Sequence, residues 1–247
     1  MKKLLTLALS LLMIMSVCLT GAIAEEGSVV IENNGRTTTY DSVPERVVVL
    51  SYSNAETMAA LGLEDKVVAA FPGMYTLDDV LPEYQEAVAA MPFITEGLNS
   101  GTPNLETVLD QDPDFVLGTY YNFFPVNCGA PEDYEAAGAN VYAQEGTYVA
   151  GATLENTYND ILNLGQIFHV EERAQELVAK MRAQADEITT KLAETEPVST
   201  FVYDSGEGTM LSIGGVGLEN ELLTLAGGAN SFLRSNARTR KNNSVRM

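Results

Sequence analysis

The sequence predicts an α/β protein with two parallel-sheet lobes joined by a long interlobe helix, the second lobe being incomplete. Three observations predict this class. Strand and helix segments alternate between residues 45 and 150, which is typical of parallel strands with helical crossovers. Residues 171–193 then keep helical spacing without a break. A further strand-and-helix segment at residues 199–230 supplies too few elements to cover a sheet.

The first 24 residues are expected to be a signal peptide. Lys2 and Lys3 precede a long apolar run, and the small-residue site at residues 22–24 follows it. We expect cleavage after Ala24 and export to the periplasm or to the outer face of the cytoplasmic membrane. Lipidation of Cys18 is the alternative, although residues 15–17 fit a lipobox poorly.

Residues 25–150 are predicted to form the first lobe. The stretch after the signal peptide reads as a hairpin whose turn is Asn33-Asn34-Gly35. The alternating pattern then predicts strands and helices in turn. The strands are 46–50, 66–70, 115–119 and 140–144, and the helices are 54–62, 104–110 and 131–137.

Residues 151–193 are predicted to be helices that link the lobes. Two periodic runs are separated by a short break at His169-Val170. The second run, 171–193, would be about 35 Å long at 1.5 Å per residue. A helix of this length can act as a strut between lobes, and an ordinary packed helix is the alternative.

Residues 194–230 are predicted to be a partial second lobe. "STFVYD" and "TMLSI" read as strands, and "LENELLTLAGG" reads as a helix ended by Gly227-Gly228. With so few elements, apolar side chains such as Phe201 and Leu211 are expected to be exposed. The chain as it stands is therefore expected to perform poorly as a transport component.

The last seventeen residues, 231–247, carry five basic residues and no acidic one. An unpatterned basic tail on an acidic protein is what a frame slip or a truncated gene would give, and we expect it to be disordered. A tail that binds anionic cell-wall polymers is the alternative.

The charge distribution excludes one class of partner. All 34 acidic residues lie between Glu25 and Glu221, and only seven basic residues lie between positions 25 and 230. Nucleic-acid binding requires basic surface, so this strongly acidic body argues against it. The same charge favours solubility and a monomer outside the cell.

The sequence offers no catalytic set. His169 is the only histidine, it lies between two helices, and no G-x-S-x-G turn is present. Hydrolysis by a nucleophile and base is therefore disfavoured, and we predict no catalytic residues and no cofactor.

A resident metal is also not predicted. Cages for zinc, manganese or copper normally need several His or Cys ligands. Cys128 is the only cysteine after the expected cleavage site and reads as a small semi-buried residue. Tyr120 and Tyr121 could bind bare ferric ion, but they follow a strand and would equally line a cleft for a large organic ligand.

Four segments, in the correct order, resemble the substrate-binding proteins of ABC importers for iron-siderophore complexes and vitamin B12. "PERVVVLSYSNAETMAALGLEDKVVA" is similar to that family's first strand-loop-helix-strand unit, and "PNLETVLDQDPDFVLGT" to its second. "LGQIFHVEERAQELVAKM" resembles the start of its interlobe helix, and "MLSIGGVGLENELLTLAGGAN" the entry to its second lobe.

The resemblance implies a solute that binds between the lobes, either a ferric siderophore or, as the alternative, cobalamin or haem. A cell-surface interaction or sensing domain with the same fold is a second class of function. The implied contacts lie on loops that follow strands. They are Ser51, Tyr52, Ser53 and Asn54, then Met74 and Tyr75, then Tyr120, Tyr121 and Asn122, and from the second lobe Tyr203, Asp204 and Ser205.

The resemblance also implies a membrane partner. The family docks on an ABC permease through one acidic residue in each lobe, and in the first lobe "NLETVL" points to Glu106. A first-turn glutamate stabilised by the helix dipole is the simpler interpretation of this residue. The counterpart in the second lobe is expected beyond residue 230, where the sequence departs from the family pattern.

Overall fold

A computed structural model describes residues 27–207, 210–214 and 216–232 of the protein. The predicted signal peptide, Cys18 and residues 233–247 of the predicted tail lie outside these ranges, and so does the side chain of Leu211. Within the described ranges, the structure contains no helix with the length and apolarity needed to cross a membrane.

The chain enters the first lobe through the predicted hairpin, formed by strands β1 (Val29–Asn33) and β2 (Arg36–Tyr40). Asn34 and Gly35 both have positive φ, at 51° and 72°, as a two-residue hairpin turn requires. The Asn33 amide donates to Ala143 O at 2.8 Å and accepts from Ala143 N at 2.9 Å. The hairpin thereby occupies part of the free edge of the main sheet.

The main sheet has four parallel strands in the order β4-β3-β5-β6. Each lies within about two residues of its prediction, and all three Val residues of the central strand are fully buried. A strand covered on both faces needs a continuous apolar run, which Val47 to Leu50 supplies. The strands are β3 (Val47–Val49), β4 (Val67–Ala70), β5 (Phe115–Thr119) and β6 (Asn140–Gln144).

Helices cover both faces of this sheet, which confirms the predicted α/β class. Met58 and Leu164 pack with Val47 and Val49 on one face, while Val108 and Tyr134 pack with Val48 on the other. The covering helices of the lobe are α1 (Tyr52–Ala60), α2 (Gln85–Ala89), α3 (Leu105–Leu109) and α4 (Pro131–Ala136). Single turns of 3₁₀ helix lie at Glu64–Lys66, Leu77–Asp79, Tyr120–Phe123 and Glu145–Thr147. Of these pieces, α2 and the 3₁₀ turns are absent from the sequence prediction.

Two long helices follow the first lobe, as predicted. They are α5 (Leu154–Ile167) and α6 (Glu171–Leu192), and His169 lies in the bend between them with φ of 54°. A Cβ at Gly165 would lie 2.5 Å from the Cβ of Ala174, so the two helices can approach this closely because residue 165 is glycine. Ala174 and Val178 are the buried residues of α6, so its first half packs on the lobe.

The described part of the second lobe contains four short strands and one helix. "STFVYD" is divided between β7 (Val198–Thr200) and β8 (Tyr203–Glu207), and β8 pairs antiparallel with β9 (Met210–Ile213). The expectation of parallel strands fails for this pair because a two-residue connection can join only antiparallel strands. Helix α7 (Leu218–Leu225) leads to β10 (Gly228–Asn230), which pairs parallel with β7. Phe201 is 54% exposed, as expected.

The central position of β5 generates a stability prediction. Leu117 is fully buried between β3 and β6, so Leu117→Ala should leave a cavity and lower the free energy of unfolding by about 3 kcal/mol. Val126→Ala, at a side chain that is 90% exposed, should change it by less than about 0.5 kcal/mol. Urea unfolding measures both, and equal effects would contradict this description of the core.

Candidate ligand cleft

The order of the strands creates a crevice at one edge of the sheet. From β3 the chain passes first to β4, on one side of β3. It then crosses to the other side of β3, where β5 and β6 lie. The two directions separate at the carboxyl ends of β3 and β5, which is where ligands bind in open α/β sheets. Val49 is paired with Leu117, so the segments beginning at Ser51 and Thr119 leave the sheet side by side.

The loop after β3 is built around the start of α1. Ser51 is the N-cap, and its Oγ accepts from Asn54 N at 3.2 Å and donates to Asn54 Oδ1 at 2.8 Å. This cap starts the helix two residues before the predicted position. Ser51 and Asn54 are both buried, so their polar groups stabilise the turn, whereas Tyr52 and Ser53 are half-buried and retain accessible surface.

One donor beneath this loop has no partner. The Nδ2 atom of Asn54 is buried and forms no hydrogen bond within the part of the chain that the structure describes. An unsatisfied buried donor costs about 1–3 kcal/mol. This cost falls on Asn54, which is itself one of the predicted contact residues.

The loop after β4 lies against the first loop. Tyr52 N donates to Pro72 O at 3.3 Å, and Gly73 N donates to Gly101 O at 3.1 Å. A Cβ at Gly101, where φ is 79°, would lie 1.8 Å from Gly73 O, so this contact requires glycine. Met74 is 87% exposed and Tyr75 is 48% exposed, so both remain available for ligand contact.

Sequence reasoning missed the aromatic partner of Tyr52. Its ring stacks on Phe93 with 4.3 Å between centroids and an interplanar angle of 20°. Phe93 follows Pro92 in a segment without secondary-structure pattern, and nothing in its spacing relates it to Tyr52. The stack fixes the orientation of the Tyr52 ring beside the crevice.

The loops after β5 and β6 bring together a group of aromatic rings, which we call the aromatic cluster: Tyr120, Tyr121, Phe124 and Tyr148. Their centroids lie 4.9 to 6.3 Å apart. Tyr121 is the exposed member, at 63%. The sequence predicted the two adjacent tyrosines, but it missed Tyr148, which reaches the cluster from the loop after β6. The cluster supplies flat apolar surface of the kind that large organic ligands contact.

Asn122 has a structural part in this loop. Its Oδ1 accepts from Thr119 N at 2.7 Å and from Thr119 Oγ1 at 2.8 Å. Its Nδ2 lies 3.8 Å from the Sγ of Cys128. Cys128 is fully buried, and burial raises the pKa of its thiol to about 11, which leaves it unreactive. The side chain of Asn122 thus holds the tyrosine loop in shape.

The second-lobe candidates lie on β8. Tyr203 is 56% exposed, and Asp204 and Ser205 are exposed and hydrogen-bonded to each other at 2.9 Å. Among the described residues no hydrogen bond or ring contact joins these three to the loops of the first lobe. Their contact with a ligand stays a prediction.

A cavity of about 570 Å³ lies beside the crevice and was not predicted from the sequence. It opens along the face of α1 that carries Thr57. Thr57 lies one turn beyond Ser53, and its Oγ1 donates to Ser53 O at 3.0 Å. Its apolar wall comes from α5 and α6. Representative lining residues are Glu56, Thr147, Ile161, Leu177, Lys180 and Met181.

A buried carboxyl group also lines this cavity. Asp160 is 6% exposed and accepts hydrogen bonds from the Tyr142 hydroxyl at 2.9 Å and from Glu145 N at 3.0 Å. Burial raises the pKa of Asp160 to about 7. The group connects the end of β6 to α5, and so joins the sheet to the interlobe helices.

Glu106 is exposed in the first turn of α3. This helix runs back toward β5, so its N-terminus lies at the carboxyl edge of the sheet, on the rim of the crevice. Asn104 caps it by accepting from Thr107 N at 2.9 Å. The side chain is therefore placed where a docking partner could reach it.

The described residues contain no group of three or more His, Cys, Asp or Glu side chains placed to hold a metal ion. Within the aromatic cluster, Tyr120 contacts the rings of Tyr121 and Phe124.

Asp160 generates a prediction about pH. Its pKa is about 7 when folded and near 3.9 when unfolded, so the folded protein holds a proton across this range that the unfolded chain releases. The contribution of Asp160 to the free energy of unfolding is therefore complete below about pH 4 and is lost as the pH rises through 7. The loss is at most about 4 kcal/mol. Asp160→Asn keeps an acceptor for Tyr142 and should remove that decline.

Urea unfolding of both proteins at several pH values between 4 and 8 measures the difference. The two proteins differ only at residue 160, so the difference between their free energies of unfolding reports the effect of that residue. A constant difference across the range would show that Asp160 is ionised throughout.

Comparison with known proteins agrees with the α/β fold. The sequence profile of the family described as "Periplasmic binding protein" matches residues 47–245, which includes most of the predicted tail. A vitamin B12-binding protein of Vibrio campbellii is 25% identical over 195 residues, covering 78% of this chain and 63% of that protein. The chain spans 54 to 63% of the length of the curated relatives it matches.

Two solved structures share the fold. A periplasmic binding protein from Veillonella parvula superposes with a TM-score of 0.68 at 29% identity, covering 81% of this chain and 64% of that chain. An ABC-type Fe3+-hydroxamate transport system protein from Saccharomonospora viridis gives a TM-score of 0.58 at 31% identity, covering 71% and 59%. The chain belongs to the periplasmic binding protein family, whose members are binding proteins and not enzymes.

Proposed function

We propose that the protein is the exported solute-binding component of an ABC importer and that it captures a chelated iron complex, a ferric siderophore. The observation that carries the proposal is the aromatic cluster, with Tyr121 as its exposed ring, at the carboxyl edge of the sheet next to loops of small polar residues. Large chelates with apolar edges suit such a surface. The 31% identity with a protein of an Fe3+-hydroxamate transport system supports this class of ligand.

Two alternatives use the same cleft. Cobalamin is favoured by the similarity to vitamin B12-binding proteins, and haem would stack on the same aromatic rings. A cell-surface sensing domain would bind solute without a transporter. A permease gene transcribed together with this one would favour transport over sensing.

Direct titration tests the proposal. The protein contains no tryptophan, so tyrosine fluorescence should report a chelate that binds near the aromatic cluster. A ferric hydroxamate, cobalamin and haem are titrated separately, with free zinc as the control solute. Tight binding of zinc and no response to any chelate would overturn the proposal.

Tyr121 should contribute to the affinity. It is the exposed ring of the cluster, so Tyr121→Ala should weaken chelate binding about ten-fold by removing one aromatic contact. Tyr121→Phe keeps the ring and should bind within about two-fold of the original protein. Isothermal titration with the same chelate measures both, and an unchanged affinity for Tyr121→Ala would place the ligand elsewhere.

Glu106 should act in docking and not in binding. If it pairs with a basic residue of the permease, Glu106→Ala should reduce chelate uptake several-fold and leave solute affinity unchanged. Glu64→Ala, an exposed glutamate at the opposite edge of the sheet, is the matched control and should affect neither. Uptake by cells that express the cognate permease measures the effect. Parallel losses of affinity and uptake would make Glu106 a structural or cleft residue.

A further inference from the structure

We infer that the solute carries no net negative charge. This inference rests on the proposed function and narrows its ligand to neutral or cationic chelates. It comes from the positions of the basic side chains. The described residues include seven Lys and Arg residues, and each of them is engaged away from the loops of the crevice or is paired with a carboxylate.

The first lobe contributes three of these cations. Arg46 donates to the carbonyls of Asp112 and Gln111 at 2.6 and 2.7 Å, and Lys66 pairs with Glu45. Arg46 and Lys66 precede β3 and β4, so they lie at the amino edge of the sheet, opposite the crevice. Arg36 is held between two carboxylates of α4, those of Glu132 and Glu135.

The other four cations lie on α6. Arg173 donates to Ala60 O at 3.0 Å, at the end of α1 that lies farthest from the crevice. Arg182 pairs with Glu155 and lies 4.4 Å from the centroid of the Tyr158 ring, and Lys191 pairs with Glu187. Lys180 borders the cavity but is paired with Glu83 at 2.9 Å.

One carboxylate lies at the carboxyl edge of the sheet, and a second lines the neighbouring cavity. Glu145 follows β6 at the carboxyl edge, and Glu56 lines the cavity on α1. Their described partners are neutral donors: Asn156 Nδ2 at 2.8 Å from Glu145, and Leu81 N at 3.1 Å from Glu56. Together these two carboxylates make the potential at this edge of the sheet negative.

Helix N-termini provide only partial compensation. The N-terminus of α1 offers about half a positive charge, and Ser51 already accepts one of its N–H groups. A multiply anionic ligand would lose its hydration in this crevice without gaining any of the described cations, and it would be repelled by Glu145. A neutral ligand avoids both costs, and a pendant ammonium would be attracted.

The candidate ligands differ in charge. A ferric tris-catecholate is triply anionic, and haem carries two propionates, so both are disfavoured. A ferric tris-hydroxamate is neutral because its three hydroxamates balance the metal charge, and a pendant amine makes it cationic. Neutral cobalamin is also compatible with the crevice.

The experiment compares ferric chelates of similar size and different charge on the full chain. We expect the neutral and the ammonium-bearing tris-hydroxamates to bind at least about 100-fold more tightly than the tris-catecholate in low salt. Added NaCl should weaken binding of the cationic chelate and leave binding of the neutral one unchanged.

A matched pair of variants assigns the effect to the crevice. Glu145→Gln keeps an acceptor for Asn156 and should weaken the cationic chelate about three-fold without changing the neutral one. Glu64→Gln makes the same charge change at the amino edge and should alter neither.

The outcomes are distinguishable. If the tris-catecholate binds as tightly as the tris-hydroxamates, the charge inference is wrong and the proposed function stands. If a folded protein binds no chelate of any charge and no cobalamin, the proposed function is wrong and the inference falls with it. Equal effects of Glu145→Gln and Glu64→Gln would show that the crevice does not select charge.

Discussion

The burial of β3 on both faces is the constraint on which the rest of the structure depends. Val47 and Val49 face one helical layer and Val48 and Leu50 face the other, so neither layer can be removed without exposing the centre of the sheet. The same strand is the point at which the chain changes direction across the sheet. The packing that stabilises the lobe therefore also creates the crevice, and every loop of the candidate cleft is attached to a strand that pairs with β3 or with its neighbour.

Hydrogen bonds connect the edge strand β6 to the elements around it. The Asn33 amide takes up the backbone groups of Ala143, Asp160 accepts from Tyr142, and Tyr148 OH accepts from Asn34 N at 2.9 Å. These bonds tie the hairpin, the sheet and α5 together within one short strand. The edge is protected from pairing with another chain, and the aromatic cluster is held from its outer side. Among the described residues, the two buried apolar clusters are formed by residues between 31 and 178, which belong to the first lobe and the two long helices.

Features that depend on local sequence patterns could be predicted, and features that depend on contacts between distant residues could not. The sheet strands and α6 were predicted because their patterns are local: a continuous apolar run for a doubly covered strand, and a sustained helical period for α6. The site was predicted less well, because small polar residues after a strand can contact a ligand or can cap a helix. Ser51 and Asn122 act as caps in the structure. Phe93 and Tyr148 were missed because only the tertiary fold brings them to Tyr52 and Tyr120.

The acidity of the chain and the character of its cleft are connected. With so few basic residues, each described cation is engaged by carboxylates, backbone carbonyls or an aromatic ring at the surface and between helices, where it supports the fold. Such exposed pairs contribute little to stability individually, but they leave none of the described cations for the crevice. Under the proposed function, recognition at this edge would rely on ring contacts and on neutral donors such as hydroxyl and amide groups. A surface of that composition would discriminate by shape and by exclusion of anions, and a wall from the second lobe would meet the same ligand without a strong charge pair from the described first lobe.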